Sequence, residues 1–527
     1  MRAPFLSRGL PWLLAAPLLI TPLALSQAQV PPSAQRSLPS LGDGGEMTLS
    51  EERRLGDRIA RAIYRDPDYL DDPALTAYLQ AIWQPLLASA RARGDVPPDL
   101  AERFAWEVML ARDRTVNAFA LPGGYLGVHL GLIGTVTSAD ELASVLAHEL
   151  SHVSQRHIAR LITRQSQQAP WMLAAMILGA LAASASKNTD IASAAMVGGQ
   201  AVAQQSQLNF SRDMEREADR VGFGVMTEAG FSGQGFVTMF DKLQQSSRLN
   251  DDGAFPYLRS HPLTTERIAD MRARVPDGHA HDAGPRVPVS ASYHAMMAAR
   301  ARVLAESAVD RLQALARTGQ SAARSPLRDT TRLGQRYAGV LAATQLRDAP
   351  AALDMLASLR ATPVDDATSR AAMDWLTLEV LVALKVNDTP GGLSLTALRE
   401  KALASDDREG LLLGARATLV DNAESQRNAA QRLRTWVTLH PNDALAWQTL
   451  SSLHNALQQP VQAARADAEA RLARLDAPGA LERLRAAQQW ARNSREIDHV
   501  ELSILDARVR HVDSLVREQL REEKPNG

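Results

Sequence analysis

The 527-residue sequence contains no cysteine. Disulfide bonds and metal ligation by thiolates are therefore excluded. The sequence also lacks an excess of either charge, since 58 Lys and Arg residues balance 59 Asp and Glu residues. Arginine supplies nearly all of the positive charge and is spread along the chain, not gathered into a basic block. The composition therefore gives no indication of nucleic-acid binding.

Beyond its N-terminal region the sequence lacks an apolar run of the roughly 20 residues that a membrane-spanning helix needs. The longest such run, 171–185, has 15 residues before polar residues interrupt it, and a second segment rich in small residues follows at 191–203. This pattern favours a hairpin over a membrane span. We expect segment 171–203 either to pack within the protein or to make peripheral contact with a membrane.

The N-terminal region has the layout of a secretory signal. Two arginines precede an apolar run at 10–25, and the small residues that a signal peptidase reads follow at 26–28. Three prolines interrupt the apolar run, which disfavours the alternative of an uncleaved anchor helix. We predict a cleavable signal peptide over 1–28 and a flexible leader over 29–46, which is rich in Pro, Gly, Ser and Gln.

A metal-binding motif lies within Glu141 to Ile158, where residues 148–152 read H-E-L-S-H. Residues four apart on a helix are separated by about 400°, so His148 and His152 project from one face as two ligands of one zinc ion. Glu149 lies about 100° away, where a carboxylate can act as a base on a zinc-bound water. The alternative is an ordinary amphipathic helix with two surface histidines. The apolar segment 171–203 follows this helix, so it can act as a lid over the cleft.

The start of this helix is marked by Ser138 and Glu141, which form an S-x-x-E capping box. An apolar stripe is expected to face the core opposite the histidines. It consists of Leu142, Leu146, Leu150 and Val153.

A second helical segment, SRDMEREAD, supplies acidic side chains. Glu215 and Asp219 are four residues apart on one face, and a Glu from a second helix completes a His2Glu ligand set that leaves one position open for water. Asp219 is then placed to hydrogen bond the free ring nitrogen of a ligand histidine. Glu217 is predicted to point elsewhere, towards the surface. The alternative is a helix with ordinary exposed acids.

Two short segments before the motif alternate with period two and predict adjacent strands, 104–110 and 115–121. The turn residues 122–124 close the second strand, and 125–128 continue the sheet. The stretch Asn117-Ala118-Phe119-Ala120 can be an edge strand that pairs with an extended substrate backbone, or a purely structural strand. Two helices, one from residue 48 and one over about 73–90, are predicted to pack over this unit.

The C-terminal half shows no strand pattern. A linker rich in Gly, Pro and His is predicted at 278–289, and helix pairs recur after it. The best copy begins at Pro441-Asn442-Asp443, and a second copy follows 34 residues on, near Pro478. This is the tetratricopeptide (TPR) spacing, which predicts a curved solenoid with a concave binding face; the alternative is a generic helical bundle. Degenerate pairs are predicted near 332–361, 368–403 and 409–438, and a last amphipathic helix over 498–521.

Four motifs in order, NAFALPGG, HELSHVSQRH, SRDMEREAD and Ser260-His261-Pro262, resemble the HtpX, Oma and CAAX-prenyl-protease group of gluzincin metalloendopeptidases. The resemblance covers about residues 48 to 275. It implies one Zn²⁺ bound by His148, His152 and Glu215, with Glu149 as general base. It also places His261 at the active site, as a transition-state donor or a reversible fourth ligand. Taken alone, a histidine before a proline indicates a capped turn.

The expected fold class is α+β, mostly α. A gluzincin metallopeptidase domain with a small sheet is expected over 47–277, followed by an all-α TPR-like solenoid over 290–527. The remaining histidines, including His157 and His129, are interpreted as structural or solvated.

The resemblance also implies a function. It suggests a periplasmic zinc endopeptidase that cleaves misfolded or misassembled outer-membrane proteins, with a possible chaperone role and with TPR repeats that bind their assembly machinery. A second hypothesis is an interaction scaffold or chaperone whose protease site is normally latent. A third, an integral membrane prenyl-protein protease, is disfavoured by the lack of membrane spans.

Overall fold

The computed structural model describes residues 47–164, 211–248, 254–275, 289–326, 329–364, 366–492 and 499–523. The predicted signal peptide, the leader up to residue 46, segment 171–203 and all but the last residue of the predicted linker lie outside these ranges. Within these ranges, none of the helices combines the length and the apolar character that crossing a bilayer requires.

The described part of the N-terminal half surrounds a four-stranded sheet with helices. The strands are β1 (Tyr69–Leu70), β2 (Glu107–Ala111), β3 (Ala118–Leu121) and β4 (Tyr125–His129). The helices are α1 (Leu49–Ile63), α2 (Pro73–Arg93), α3 (Pro98–Arg103), α4 (Leu130–Thr135), α5 (Ala139–Ser154), α6 (His157–Arg164), α7 (Arg212–Glu228), α8 (Gln234–Arg248), α9 (Tyr257–Ser260) and α10 (Thr265–Arg274).

The first two helices begin and end at residues with clear capping chemistry. Thr48 and Glu51 form a complete capping box at the start of α1. Asp72 caps α2 by accepting a hydrogen bond from the backbone N–H of Leu75 at 2.9 Å. Gly94 ends α2 in the left-handed region, with φ of 82°. Both predicted helices are therefore confirmed.

The sheet has the order β1-β2-β4-β3, so the prediction that β2 and β3 are neighbours is wrong. A tight turn at Pro122–Gly124 folds β4 back along β3 as an antiparallel pair, and β4 then pairs in parallel with β2. Every residue of β4 is buried, which suits the central position. Strand β2 begins at Glu107 and not at 104, because Trp106 has a left-handed backbone with φ of 51°.

The regular elements of the described C-terminal half are helices, apart from an isolated bridge between Asp388 and Ser394. Helices stand at each predicted pair and at the predicted last segment, whereas the identity of the pairs as TPR repeats stays a prediction. The helices are α11 (Ala291–Leu304), α12 (Val309–Arg324), α13 (Thr330–Gln345), α14 (Ala349–Arg360), α15 (Ala367–Leu384), α16 (Leu395–Leu403), α17 (Arg408–Ala417), α18 (Ala423–Leu439), α19 (Ala444–Ala456), α20 (Pro460–Ala473), α21 (Ala477–Arg492) and α22 (His499–Glu523).

The two halves share one hydrophobic core. It runs from Ala74 of α2 through the motif helix α5 to Val380 of α15. Polar contacts cross the same boundary: the hydroxyl group of Tyr78 lies 2.7 Å from Nδ1 of His294, and Nε2 of His294 lies 3.2 Å from the carbonyl oxygen of Val136. The first helices after the predicted linker are therefore packed as part of the same body as the N-terminal half.

A buried ion cluster lies in this shared region. Nε and Nη2 of Arg300 on α11 donate to the carboxylate of Asp72 at 2.8 and 2.7 Å, and Nη1 donates to Glu379 on α15 at 2.8 Å. Burial raises the pKa of Asp72, but Arg300 outweighs this effect and holds the pKa below its usual range. Because an unpaired buried charge is costly, the cluster holds α2, α11 and α15 in one arrangement.

Glu409 on α17 lies near this cluster and is only 8% exposed. Burial, with further repulsion from neighbouring carboxylates, raises its pKa to about 8. Since this folded-state pKa lies above the unfolded value of about 4.3, the native state binds the proton more tightly between those pH values. The free energy of unfolding therefore falls as pH rises through that window, because Glu409 ionises in the unfolded chain but stays protonated in the native state.

We predict that Glu409→Gln increases the free energy of unfolding near pH 8 by on the order of a few kcal/mol, because the amide cannot ionise. Near pH 4 the variant and the wild type should have similar stability. Urea denaturation midpoints at both pH values measure the difference. Glu400→Gln, at an exposed position on α16, is the matched control. A stability gain that is equal at both pH values would contradict the assignment.

Candidate metal centre

Helix α5 carries the motif and is buried along nearly its whole length. Oγ of Ser138 accepts a hydrogen bond from the backbone N–H of Glu141 at 3.2 Å, as predicted. The other half of the predicted capping box is wrong, because the Glu141 carboxylate accepts from the backbone N–H of Thr137 and from Nζ of Lys242, both at 2.6 Å. The predicted apolar stripe is buried, but so is the opposite face.

The two motif histidines lie one turn apart and point their Nε2 atoms at one another. The Nε2 atoms of His148 and His152 are 2.9 Å apart. Their exposed fractions are 1% and 0%. The alternative of two surface histidines on an ordinary amphipathic helix is therefore wrong.

Helix α7 places Glu215 against both histidines. Its Oε1 lies 3.4 Å from Nε2 of His152, and its Oε2 lies 3.5 Å from Nε2 of His148. Ser211 caps the helix just before this residue, so Glu215 sits in the first turn. Glu215 and Asp219 are each 1% exposed, which rules out the alternative of ordinary exposed acids.

A glycine allows α7 to approach α5 so closely. A Cβ atom added at Gly222 would lie 3.0 Å from the carbonyl oxygen of Ala147 and 3.1 Å from the backbone nitrogen of His148. Contacts this short are tighter than side chains normally make. The two helix backbones therefore touch beside the first ligand histidine, which fixes the distance between the motif and Glu215.

His261 comes from a third segment, directly after α9. Its Nδ1 lies 3.0 Å from Oε1 of Glu215 and 3.3 Å from Nε2 of His148. The ring of Tyr257 stacks on it with 4.6 Å between centroids. One ligand atom from each of His148, His152, Glu215 and His261 lies within 4.8 Å of the others. The capped-turn interpretation of His261 does not explain this convergence.

A second carboxylate and an arginine lie behind His148. Oδ1 of Asp219 is 2.9 Å from Nδ1 of His148. Nε and Nη2 of Arg267 donate to the two oxygens of Asp219 at 2.6 and 2.8 Å, and its Nη1 lies 2.7 Å from Oε2 of Glu215. Arg267 is not among the site residues that the sequence predicts. The one feature of the sequence that points to Arg267 is its position six residues after His261, in α10.

Two further side chains lie behind His152. His157 is fully buried, and its Nδ1 is 2.9 Å from Nδ1 of His152. Its Nε2 is 3.1 Å from Oε2 of Glu217. Glu217 lies outside the ligand cluster, as predicted, and its side chain is 30% exposed, but it contacts His157 behind His152. His157 is buried, so of its two interpretations the solvated one is wrong and the structural one is compatible with its position. No sequence pattern predicts this contact, because a reversal of the chain after α5 creates it.

The electrostatics of the cluster are set by burial and by its carboxylates. Burial lowers the pKa of His148, but hydrogen bonds to Asp219 and Glu215 outweigh it and raise the pKa to about 9. Burial holds the pKa of His152 well below its usual value. Burial raises the pKa of Glu215, but the three histidines outweigh it and hold the pKa far below the usual range. Glu215 is therefore a carboxylate that can bind a cation.

The donor set fits zinc. Imidazole nitrogens and a carboxylate oxygen are ligands that zinc takes, and three of them leave one position for water or substrate. The carboxylates of Glu215 and Asp219 both contact the guanidinium of Arg267, and without a metal His148 adds positive charge because its pKa is raised. A divalent cation would supply this compensating charge when His148 binds it as a neutral imidazole.

Glu149 lies beside this cluster and is fully buried. Neither of its carboxylate oxygens has a hydrogen bond of normal geometry among the described residues. Nε2 of His261 is 3.4 Å from its Oε1, and Tyr257 is a further neighbour. Burial raises the pKa of Glu149, although His261 and His148 oppose this effect. A carboxyl group in this environment can accept and release a proton.

The stretch 117–120 lies at one side of the sheet. Strand β3 is the last strand in the order β1-β2-β4-β3, so it is an edge strand of the described sheet. It contacts α5, the helix that carries the motif. The carbonyl oxygen of Asn117 accepts from the backbone N–H of His129, and Phe119 lies across Gly127 of β4. This geometry is compatible with substrate pairing along Ala118 and Ala120, which stays a prediction.

We predict that Gly222→Val separates α5 from α7 and lowers both stability and zinc affinity. Overpacking of this kind costs about 1–3 kcal/mol. Gly224→Val is the matched control on the same helix, because a Cβ atom there meets only the flexible end of Arg93. Chelator competition and thermal unfolding measure the two effects. Equal zinc affinity for the two variants would contradict the role of the close approach.

Comparison with known proteins places these residues in a family. Residues 73–275 match Peptidase family M48. The chain is 34% identical over 275 residues to a putative beta-barrel assembly-enhancing protease of Vibrio cholerae, a match that covers 51% of this chain and 52% of the relative. The beta-barrel assembly-enhancing protease of Yersinia pestis is 27% identical over 420 residues, covering 79% of this chain and 80% of the relative.

A third relative comes from a eukaryote. The mitochondrial metalloendopeptidase OMA1 of Arabidopsis thaliana is 32% identical over 166 residues, covering 32% of this chain and 31% of the relative. The match with the Vibrio protein spans about half of that protein's length. Peptidases of family M48 use zinc, and the segment matched by the family contains the whole cluster of His148, His152, Glu215 and His261. Residues 73–275 of this chain therefore form a peptidase family M48 domain.

Proposed function

We propose that this protein is a zinc metalloendopeptidase. The observation that carries the proposal is the convergence of His148, His152 and Glu215 in one buried cluster, with the carboxylate of Glu149 beside it. The family match of the same segment supports it. The two histidines and Glu215 would hold the metal. Bound zinc lowers the pKa of a water molecule towards about 7 and polarises a carbonyl group.

The protein's own residues move the protons. In the proposed mechanism, Glu149 takes a proton from the attacking water molecule and gives it to the leaving amine nitrogen of the scissile peptide. Its buried position suits this role, because burial raises its pKa and makes both protonation states accessible. Asp219 holds the Nδ1 side of His148, so that the Nε2 side faces the cluster.

His261 has two proposed roles, and its position favours one of them. Its Nδ1 lies among the ligand atoms, 3.0 Å from Glu215 and 3.3 Å from His148. A fourth ligand at this place would occupy the position that water needs. A transition-state donor would instead have to face the substrate carbonyl. We therefore favour a reversible fourth ligand that keeps the site closed until substrate arrives.

The proposed substrates are misfolded or misassembled proteins of the outer membrane. Two observations support this: the predicted signal peptide, which suggests the periplasm, and the similarity to bacterial beta-barrel assembly-enhancing proteases. Strand β3 would bind the substrate backbone along the edge that it forms in the described sheet. The helical half would bind the outer-membrane assembly machinery through a TPR face, and segment 171–203 would touch the membrane.

A second candidate function is that of an interaction scaffold or chaperone with a normally latent protease. The position of His261 within the ligand cluster supports it, because a site closed in this way does not cleave. The large helical half, which shares its core with the peptidase domain, offers the surface for such binding. The two functions are compatible in one protein.

We predict that Glu149→Gln abolishes cleavage of an unfolded outer-membrane barrel protein while zinc stays bound. Loss of general acid and base catalysis should lower the rate by about 10²–10⁴-fold. The variant should also retain bound substrate, which can be identified after purification. Glu102→Gln, at an exposed position on α3, is the control. If neither the wild type nor a variant with His261 replaced cleaves the substrate under any condition, the proposed enzymatic function is refuted and the scaffold function remains.

We predict that His261→Ala activates the enzyme without loss of zinc. If His261 closes the site, only a fraction of the wild-type molecules is open at any time. The peptidase rate of the variant should then exceed the wild-type rate by a factor equal to the reciprocal of that fraction. Peptidase rate and zinc content, measured on the same samples, decide the outcome. A strong fall in kcat with full zinc content would instead assign His261 as a transition-state donor.

A further inference from the structure

A second histidine supports the ligand His152 from behind. Helix α5 ends at Ser154, and Arg156 then adopts a left-handed backbone with φ of 53°. This conformation is uncommon for a residue with a side chain. It reverses the chain, so that His157 at the start of α6 meets His152 with 4.9 Å between ring centroids. A salt bridge from Nε of Arg156 to Glu52, at 2.9 Å, holds the reversal in place.

The far side of His157 is also held. Its Nε2 lies 3.1 Å from Oε2 of Glu217, and the same oxygen accepts from Nη1 of Arg160 at 3.0 Å. Glu217 stands on α7, two residues after Glu215. The contacts therefore form a series that starts at His152 on α5, passes through His157 on α6 and ends on α7, the helix that carries Glu215.

Only one placement of the ring hydrogens is compatible with this series of contacts when His152 binds a metal through Nε2. That atom must then offer its lone pair, so Nδ1 of His152 carries the hydrogen and donates it to Nδ1 of His157 at 2.9 Å. The hydrogen of His157 must in turn lie on Nε2, where it is donated to Glu217. A carboxylate can only accept, so Glu217 completes the sequence.

We infer that His157 and Glu217 are positioning residues, which hold His152 in the tautomer and ring orientation that a metal ligand needs. They do for His152 what Asp219 and Arg267 do for His148. The inference rests on the proposed zinc site, but it concerns metal affinity and not peptide cleavage. Groups behind a ligand histidine typically change metal affinity by about 10–100-fold when they are replaced.

The test measures the zinc affinity of the full chain, after metal removal, by competition with a chelator. His157→Leu should weaken zinc binding by about 10–100-fold. His157→Gln keeps an oxygen that can accept from Nδ1 of His152, so it should recover most of the affinity. His454→Leu is the matched control, because His454 is also buried and hydrogen bonded but lies on α19.

Wild-type affinity in His157→Leu would overturn the inference, and so would a Gln variant that binds no better than the Leu variant. If His157→Leu does not fold, Glu217→Leu decides, since the Glu217 side chain is 30% exposed. We expect it to weaken binding by about tenfold and to change the visible absorption spectrum of the Co²⁺-loaded protein. An unchanged affinity and spectrum would refute the role of Glu217. A wild-type protein that binds no zinc would instead refute the proposed function.

Discussion

The close approach of α5 and α7 at Gly222 is the constraint on which the site depends. Two helix backbones in contact place Glu215 about 3.5 Å from both motif histidines. Each helix alone presents polar side chains to water, and only their contact turns these side chains into a buried ligand set. The contact also explains why α5 is buried on all sides, with the shared core on one face and the ligands on the other.

Burial of so many polar groups requires support from outside the ligand set. Arg267 bridges Glu215 and Asp219, and Asp219 in turn contacts His148. His157 and Glu217 form the corresponding contacts behind His152. A buried polar group without a partner costs about 1–3 kcal/mol, and these contacts spare much of the cluster that cost. The proposed metal ligands are therefore contacted from behind by residues that lie outside the ligand set.

The helical half is tied to the peptidase domain by more than a linker. The core shared by α2, α5, α11 and α15 and the buried cluster around Arg300 make the two halves one body in the described part of the chain. In the proposed function, a partner bound to the helical half would therefore contact a body that is continuous with the helices around the site. This arrangement suits a protease whose site stays closed by His261 until a client or partner binds.

The sequence alone determined the local chemistry. The spacing of His148 and His152, the pairing of Glu215 with Asp219 and the cap at Ser138 all depend on residues that are neighbours along one helix. Only the tertiary structure decided the strand order, the contacts of Arg267 with the ligands and the contact between His152 and His157. These depend on a chain reversal at Arg156 and on packing between distant segments, and no periodic pattern encodes such contacts.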